Sequence, residues 1–354
     1  MDVEKKVDLV ACAPTEEVLT AAELRSLFET KQNPKHYVGY EVSGLLHLGS
    51  LVVCGYKIND MLKAGVQCNA YFAHIHSWIN NKLGGDLDKI KHAAKYYEEA
   101  FKFFCPGLKV IQADELYHNN DEYWYNVIKF SKKLTTTRAT RALTIMGRSQ
   151  KEKLELAQYF YPSMQAVDIK TSGVDIAHAG MDQRSVHVLA REVYPKLKWK
   201  KPVAVHNHLI AGLAEPPKVT GDEKVLASKM SKSKPWTCIF IHDTEKEITD
   251  KIGKAWCPPK VAEGNPILEI SKYIIFHEQK SLRVERAAKF GGSVEFGSYE
   301  ELEKAYSKAD LHPQDLKKAV AVSLDKIIKP LREHFEKPKN LRLLDVYKDV
   351  KITR

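Results

Sequence analysis

The sequence predicts an α/β fold with a parallel, doubly wound sheet, followed by an all-helical C-terminal domain. Strand-like runs alternate with helix-like runs from about 37 to 243, a pattern that favours a parallel sheet. A wholly helical stretch from about 117 to 160 interrupts the alternation, and strand signals disappear after 243. The length of 354 residues is long for one core and suits two domains.

The elements of the predicted sheet follow one another along the chain. HYVGYEV predicts a buried strand, and GSLVVCGYKINDMLKAG has helical spacing and ends at Gly65. A second strand, NAYFAHI, precedes the helix LDKIKHAAKYYEEAFKFF. The later strand predictions are LKVIQADEL, GVDIAHAGM, PVAVHNH and WTCIFIHD.

The two ends of the chain are predicted to be helical. PTEEVLTAAELRSLF has helix-start chemistry, so residues 1–36 are expected to form an N-terminal helical arm. After 243, amphipathic spacing predicts helices that assign 244–354 to the second domain. These helices are TEKEITDKIGKAW, PILEISKYIIF, SYEELEKAYSKA and PQDLKKAVAVSLDKIIKPLREHF.

Composition excludes several classes of protein. Hydrophobic residues make up 44% and charged residues 28%, as in ordinary soluble domains. No apolar run approaches the roughly 20 residues of a membrane span. The N-terminus lacks a signal-peptide core, so a cytoplasmic location without a membrane partner is expected. The six cysteines are scattered without a C-x-x-C pair, which favours reduced thiols and no structural zinc.

Positive charge is concentrated near the C-terminus. The net charge is +10, and residues 316–354 contain eleven Lys and Arg against five Asp and Glu. This asymmetry suggests a polyanionic partner, although a solvated basic helix face gives the same composition.

Two segments have the chemistry of phosphate binding. SGLLHLGS runs from a strand through glycines into a helix start, where free N–H groups attract phosphate. Gly44 and Gly49 would permit close backbone approach, and His47 could donate a hydrogen bond, although packing alone also explains this segment. The second segment, KMSKS at 229–233, is either a solvated basic loop or a mobile phosphate clamp.

Together these segments resemble the signature motifs of the class I aminoacyl-tRNA synthetases. HLGS is similar to the HIGH motif, with Ser50 in place of the last histidine, and KMSKS matches completely. From about Pro14 onward the chain resembles tyrosyl-tRNA synthetases of the archaeal and eukaryotic type. HYVGYEVSG, YPSMQAVDI, AGMDQR, KFGG and LHPQDLK carry that resemblance. His74, in FAHIH, stands where many relatives have an acidic residue, and we assign it no role.

The resemblance implies a Rossmann-like catalytic domain over 37–243 and an anticodon-binding domain over 244–354. The implied enzyme activates tyrosine with ATP and transfers tyrosyl to the 3′-terminal ribose of tRNA(Tyr). Mg²⁺ is expected with ATP, and a homodimer is expected through the helical insertion.

The resemblance also implies the site residues. Tyr37 and Asp168 would hold the phenol hydroxyl of tyrosine. The ammonium would be held by Tyr161, Gln165 and Gln183, with Glu41 nearby. The implied ATP-binding residues are His47, Gly49, Ser50, Gly180, Asp182, Lys229, Met230, Ser231, Lys232 and Ser233, of which His47, Lys229 and Lys232 would be catalytic. Contacts with tRNA are implied for Arg184, Phe290, His312 and Asp315.

The chemistry of these residue types fits the reaction. The tyrosine carboxylate that attacks the α-phosphate is already ionised, so no general base is required. Lys229 and Lys232 offer ammonium groups for the charge that develops on pyrophosphate, and Ser231 and Ser233 permit a tight loop.

Two other functions compete with this hypothesis. A tryptophanyl-tRNA synthetase would share the architecture, but Tyr37 and Asp168 suit a phenol. An RNA-binding paralogue without catalysis would not need His47 and an intact KMSKS loop.

Overall fold

The structure, a computed structural model, describes residues 1–146, 154–218 and 227–348. The chain divides into two compact units. The first comprises the described parts of Met1–Gly44, Cys54–His208 and Leu343–Arg354. The second comprises the described parts of Leu45–Val53 and Leu209–Arg342. The expected domain boundary at 243 therefore differs, because the HLGS and KMSKS segments both belong to the second unit.

A six-stranded sheet forms the centre of the first unit, in the order β1-β6-β5-β2-β3-β4. The strands from β2 to β6 pair in parallel, which confirms the predicted α/β class. The neighbours β2 and β5 are separated in sequence by two strands, so the chain reverses its direction of winding between them. Ligands bind at such points, beyond the carboxyl ends of the strands. The strands are β1 Thr15–Leu19, β2 Lys35–Tyr40, β3 Gln67–Phe72, β4 Lys109–Gln112, β5 Ile176–Gly180 and β6 Val203–Asn207.

The N-terminal segment differs from the expected helical arm, because its middle is strand β1. This strand pairs antiparallel with β6, with Val18 opposite Val205. The helix-start chemistry is present but lies later: Thr20 caps the next helix, and its side chain and that of Glu23 satisfy each other's backbone N–H groups. The preceding residues are therefore outside the helix and extend the sheet.

Helices surround this sheet, and α5 has the bounds of the predicted helix. The expected insertion at 117–160 is helical in its described part, where α6 and α7 are followed by short turns, and residues 147–153 lie outside the described residues. The helices of the first unit are α1 Val3–Ala11, α2 Ala21–Thr30, α3 Cys54–Lys63, α4 His74–Ile79, α5 Leu87–Phe104, α6 Asp121–Ser131, α7 Thr136–Ala142, α8 Tyr161–Thr171 and α9 Arg184–Val193.

The second unit is mainly helical but contains a two-stranded hairpin that the sequence did not predict. Its strands, β7 Leu282–Val284 and β8 Val294–Phe296, have three residues each, too short for an alternating pattern to show. Among the described residues, its α-helices of at least four residues are α10 Glu245–Lys254, α11 Pro266–Ile270, α12 Tyr299–Lys308, α13 Pro313–Glu336 and α14 Pro338–Leu341. A π-helical turn, Leu48–Val53, follows His47, and another, Ser271–Ile275, extends α11.

The predicted strand WTCIFIHD is wrong as a sheet strand. Ile239 and Ile241 are buried, which explains the apolar run. Their backbones make two hydrogen bonds with the residues on either side of His47. Leu48 N donates to Ile239 O and Ile241 N donates to Leu46 O, both at 3.1 Å. This pairing fixes the start of the HLGS segment within the second unit. In the described part of the chain, no helix is long and apolar enough to cross a membrane.

Candidate active site

A buried carboxyl group is the centre of a polar pocket in the first unit. Asp168, on α8, accepts hydrogen bonds from Tyr123 Oη at 2.7 Å and from Tyr117 Oη at 3.1 Å, one on each carboxylate oxygen. Burial raises the pKa of Asp168 to about 7, even though both hydroxyls act to lower it. A carboxylate has about four acceptor positions, so Asp168 can still accept from a third donor.

Tyr37 is buried on β2 and lies close to this carboxyl group. Burial, followed by the charge of Asp168, raises the pKa of Tyr37 well above its ordinary value, which keeps the phenol protonated. Its ring centroid is 4.8 Å from that of Tyr71. The Tyr37 hydroxyl occupies the space above Gly39, where a Cβ would lie 2.4 Å from Oη. Glycine at 39 therefore makes room for the Tyr37 side chain.

A second polar group of side chains surrounds Glu41. Its Oε1 accepts from Tyr161 Oη at 2.9 Å and from Asn80 Nδ2 at 2.8 Å, and Lys82 Nζ lies 3.4 Å from Oε2. The Tyr161 ring meets His76 edge to face at 4.5 Å. Glu41 is therefore a positioned acceptor whose charge is balanced by a buried lysine.

Gln165 and Gln183 complete this end of the pocket. Gln165 Nε2 donates to Gln183 Oε1 at 3.2 Å, and Gln183 Nε2 donates to the carbonyl of Ile145 at 2.9 Å. Oε1 of Gln165 is buried and has no hydrogen-bond partner among the described residues. A buried acceptor of this kind is costly unless a ligand donates to it. We call Tyr37, Glu41, Tyr161, Gln165, Asp168 and Gln183 the Asp168 pocket.

Two buried histidines lie on α4, and one of them, His76, lies beside the pocket. His76 Nε2 is 3.7 Å from Asp168 Oδ2, and burial lowers the pKa of His76 to about 4, so its ring is neutral at pH 7. His74, to which the sequence assigned no role, is buried with Nδ1 3.6 Å from Asp114 Oδ1.

Neighbouring side chains in and after the turn that follows β5 contact different parts of the first unit. Gly180 ends β5, and Asp182 lies half-buried in the turn Met181–Gln183. Gln183 bonds to the pocket residue Gln165. Arg184, the next residue, begins α9 and donates instead to Glu17 of β1, through Nε at 2.8 and 3.0 Å and through Nη2 at 2.9 Å.

In the second unit, His47 is held at the start of a π-helical turn. Its Nδ1 accepts from Gly49 N at 3.2 Å, which leaves Nε2 as the protonated nitrogen of the neutral ring. Ser50 Oγ accepts from His47 N at 2.9 Å and lies 3.1 Å from His47 O. Ser50 thus stabilises this turn. A Cβ on Gly49 would lie 3.0 Å from Ile210, so this glycine allows close packing.

The KMSKS loop, residues 229–233, is anchored by its backbone and by Met230. Met230 is buried, and its N donates to Ile210 O at 2.8 Å. Ser231 and Ser233 bond through their hydroxyls at 3.0 Å, and Lys234 N closes the turn onto Ser231 O at 3.1 Å. Burial, followed by the charges of Lys232 and Lys229, holds the pKa of His47 well below its ordinary value. The two motifs, about 180 residues apart in sequence, therefore lie close together.

A third group of predicted residues lies further along the second unit. Phe290 is 61% exposed in the hairpin loop, with Lys289 Nζ 5.0 Å from its ring centroid. His312 caps α13, and Asp315 lies in its first turn. Arg286 connects the two places, since it donates to Gly292 O at 3.0 Å and to Asp310 O at 2.9 Å.

Comparisons with known proteins identify the family of the chain. The family of class I tRNA synthetases for tryptophan and tyrosine (W and Y) matches residues 29–329. Tyrosine–tRNA ligases from Thermococcus sibiricus and Thermococcus gammatolerans are 45% and 46% identical, over the whole length of both chains. The chain belongs to the tyrosyl-tRNA synthetase family.

A solved structure of the family gives the same result. Tyrosyl-tRNA synthetase from Pyrococcus horikoshii, complexed with L-tyrosine, has a TM-score of 0.91 and 44% identity. The alignment covers 97% of this chain and 99% of that one.

Within the family resemblance, the sequence predicted the pocket residues but missed their partners. The six residues of the Asp168 pocket come together in the first unit, and the HLGS and KMSKS residues come together in the second. Tyr117, Tyr123, Asn80 and Lys82 were not predicted, because each acts on a pocket residue at least 39 positions away in sequence. Within the described residues, no group of three or more His, Cys, Asp or Glu side chains could hold a metal ion.

Proposed function

We propose that this chain is a tyrosine–tRNA ligase that activates tyrosine with ATP and transfers tyrosyl to the 3′-terminal ribose of tRNA(Tyr). The observation that carries the proposal is Asp168, a buried carboxyl group that has two tyrosine donors and lies near Tyr37. Family membership and the tyrosine complex of the Pyrococcus horikoshii relative support it.

In this proposal, Tyr37 and Asp168 bind the phenol hydroxyl of the substrate. The hydroxyl donates to Asp168 and accepts from Tyr37, whose raised pKa keeps its proton available. Phenylalanine would fill the same volume but offer no hydrogen bond to these two buried groups, which is the basis of strong discrimination without editing.

The ammonium of tyrosine is bound at the other end of the pocket. Glu41, whose charge is shared with Lys82, supplies carboxylate oxygens as acceptors, and the Oε1 atom of Gln165 supplies an acceptor that no other described residue satisfies. Tyr161 and Gln183 hold these two acceptors in place through the hydrogen bonds described above. The amino acid is thus recognised by acceptors at both polar ends.

ATP is assigned to two groups of residues. Gly180 and Asp182 would contact the ribose. His47, Gly49 and Ser50 would contact the phosphates through the turn, and Lys229 to Ser233 would stabilise the pyrophosphate as it leaves. Mg²⁺ is expected to bind through the ATP phosphates, its usual ligands in such enzymes, and would neutralise part of their charge.

The chemical step needs positioning more than proton transfer. The tyrosine carboxylate attacks the α-phosphorus in line, the bond to the bridging oxygen breaks, and pyrophosphate leaves with the electron pair. Lys229 and Lys232 carry the positive charge that this step requires. In the second step, the ribose hydroxyl of tRNA attacks the carbonyl carbon and gives up its proton, the bond from that carbon to the phosphate oxygen breaks, and AMP leaves with the electron pair.

The remaining assignments concern partners and location. Arg184 would contact the acceptor end of tRNA, and Phe290, His312 and Asp315 the anticodon. A homodimer would use α6, where Trp124, Tyr125 and Ile128 are 43, 58 and 56% exposed. A cytoplasmic location remains a prediction from composition.

Amino-acid-dependent exchange of pyrophosphate into ATP tests the proposal. Exchange is expected with tyrosine and not with tryptophan or phenylalanine. Exchange with tryptophan would identify a tryptophanyl enzyme, and no exchange with any amino acid would identify an RNA-binding protein without catalysis.

A further inference from the structure

We propose that Glu17, on the edge strand β1, is a positioning residue that holds Arg184 in the orientation needed to bind the acceptor end of tRNA. This inference rests on the proposed role of Arg184. It gives β1 a part in charging tRNA that the sequence did not predict.

The contact between Glu17 and Arg184 is specific in geometry. Three N···O distances of 2.8 to 3.0 Å join Nε and Nη2 of Arg184 to both carboxylate oxygens of Glu17. Such a two-pronged pair fixes the plane of the guanidinium, which a single ion pair does not. Burial acts to raise the pKa of Glu17, but the hydrogen bonds from Arg184 and His206 outweigh burial and leave that pKa lowered.

Two buried histidines hold Glu17 from the other side. His206, which lies opposite Glu17 in the β1–β6 register, places Nδ1 2.9 Å from Glu17 Oε2. His206 Nε2 is 3.0 Å from Nδ1 of His187, which lies on α9 three residues after Arg184. Arg184, Glu17, His206 and His187 therefore form a chain of contacts that begins and ends on α9 and joins it to β1 and β6.

One arrangement of protons is compatible with both histidine contacts in this chain. Because ionised Glu17 only accepts, His206 carries its proton on Nδ1, and its Nε2 accepts from Nδ1 of His187. Burial lowers the pKa of both histidines, so both rings are neutral at pH 7. Neither contact can reverse its direction without breaking its neighbour, so the carboxylate of Glu17 has a fixed orientation.

An electrostatic role and a positioning role of Glu17 predict opposite effects on tRNA binding when Glu17 is neutralised. Glu17→Gln removes a negative charge beside an arginine, which by charge alone would strengthen binding of tRNA. If Glu17 positions Arg184, the same change instead weakens productive binding, because the guanidinium loses its fixed plane. The direction of the change therefore separates the two roles.

The test is a double-mutant cycle of Glu17→Gln and Arg184→Ala in the full chain. Aminoacylation kinetics and pyrophosphate exchange are measured on the same preparations. We expect Glu17→Gln to reduce kcat/KM for tRNA roughly tenfold with exchange unchanged, and to have no further effect in the Arg184→Ala background. The matched control is Glu23→Gln, which removes another Arg–Glu contact to α9, that with Arg191 at 2.6 Å. It should leave charging unchanged.

Variants of His206 add a readout that a purely structural role would not give. His206→Asn keeps a donor at the Nδ1 position and should keep charging near wild type, whereas His206→Leu should lower it.

The inference is overturned if Glu17→Gln charges tRNA as well as or better than wild type while Arg184→Ala is defective. If Arg184→Ala charges tRNA normally, the assigned role of Arg184 fails as well. Equal losses for Glu17→Gln and Glu23→Gln would reduce Glu17 to a structural contact.

Discussion

The Asp168 pocket and the KMSKS loop hold their functional groups in opposite ways. In the pocket, side chains hold side chains: Asp168 by Tyr117 and Tyr123, and Glu41 by Tyr161, Asn80 and Lys82. In the loop, the backbone and the buried Met230 provide the anchor, and Lys229 and Lys232 are only half-buried.

The difference matches the two tasks proposed for them. Discrimination between tyrosine and phenylalanine depends on groups that are fixed and dry before the substrate arrives. Stabilisation of a leaving pyrophosphate depends on charge that is needed only in the transition state, and long, partly exposed lysines can follow that charge. The predictions below test this contrast.

The largest effect is expected from Asp168→Ala. The variant removes one acceptor for the substrate and takes from Tyr117 and Tyr123 their shorter hydrogen bonds, leaving each hydroxyl only a 3.4 Å contact, with His76 Nδ1 and the carbonyl of Met164 respectively. We expect kcat/KM for tyrosine in pyrophosphate exchange to fall about 100-fold or more, and the preference over phenylalanine to be largely lost. Asp114→Asn, a change outside the pocket, is the control. Wild-type discrimination in Asp168→Ala would remove Asp168 from the recognition of tyrosine.

Lys232→Ala should have the next largest effect, and on a different quantity. Loss of a charge that acts on the departing pyrophosphate should slow adenylate formation by roughly 30- to 100-fold with the Kd for tyrosine unchanged. Single-turnover kinetics and tyrosine binding by calorimetry separate the two quantities. Lys234→Ala, two residues on and exposed, should behave as wild type. If tyrosine affinity and rate fall together, the contrast between pocket and loop does not hold.

The sequence predicts a functional residue more easily when the contacts that hold it are made with residues nearby in the chain. His47 and the KMSKS residues were predicted because both motifs are short and contiguous, and their contacts are mostly with neighbouring backbone. Tyr117 and Tyr123 were not, because they contact Asp168 from 51 and 45 residues away, and no fixed spacing relates a tyrosine to a carboxylate so distant in sequence.

The difference between local patterns and distant contacts also explains the errors in the predicted fold. The alternation of strands and helices from β2 to β6 is a strong local pattern, and it was predicted correctly. Strand β1 was missed because Thr15–Leu19 directly precedes a genuine helix cap at Thr20, and the strand forms only by pairing with β6, nearly 190 residues later. WTCIFIHD was misassigned because burial, rather than sheet pairing, selects its apolar residues.

The pH dependence of stability provides a second test of the pocket. The pKa of Asp168 is raised from 3.8 to about 7. Between these values the folded chain keeps a proton that the unfolded chain has released, so the free energy of unfolding decreases as pH rises, by up to about 1.4 kcal/mol per pH unit. Asp168→Asn should flatten this slope between about pH 4 and 7 in urea unfolding. An unchanged slope would show that Asp168 titrates normally.

The smallest effect is expected at Phe290 and Asp315, where the second unit would read the anticodon. Phe290 is 61% exposed, and Lys289 lies 5.0 Å from its ring centroid, so the ring already has one partner before RNA binds. Stacking is worth about 1–3 kcal/mol per base, and we expect the lower end. Phe290→Ala or Asp315→Ala should therefore reduce tRNA charging about fivefold and leave pyrophosphate exchange intact.

Base-specific contact and general attraction are separated by pairing each protein change with each anticodon change. A tRNA already altered at the base that Asp315 reads should lose little more when Asp315 is replaced, because the contact is removed only once. Lys318→Gln, an exposed change on α13, should instead weaken all tRNAs alike and reduce the salt dependence of binding. If the losses at Phe290 and Asp315 are strictly additive with every anticodon change, neither residue touches the anticodon. The basic helices would then attract tRNA only by charge, and its identity would have to be read elsewhere, as at Arg184.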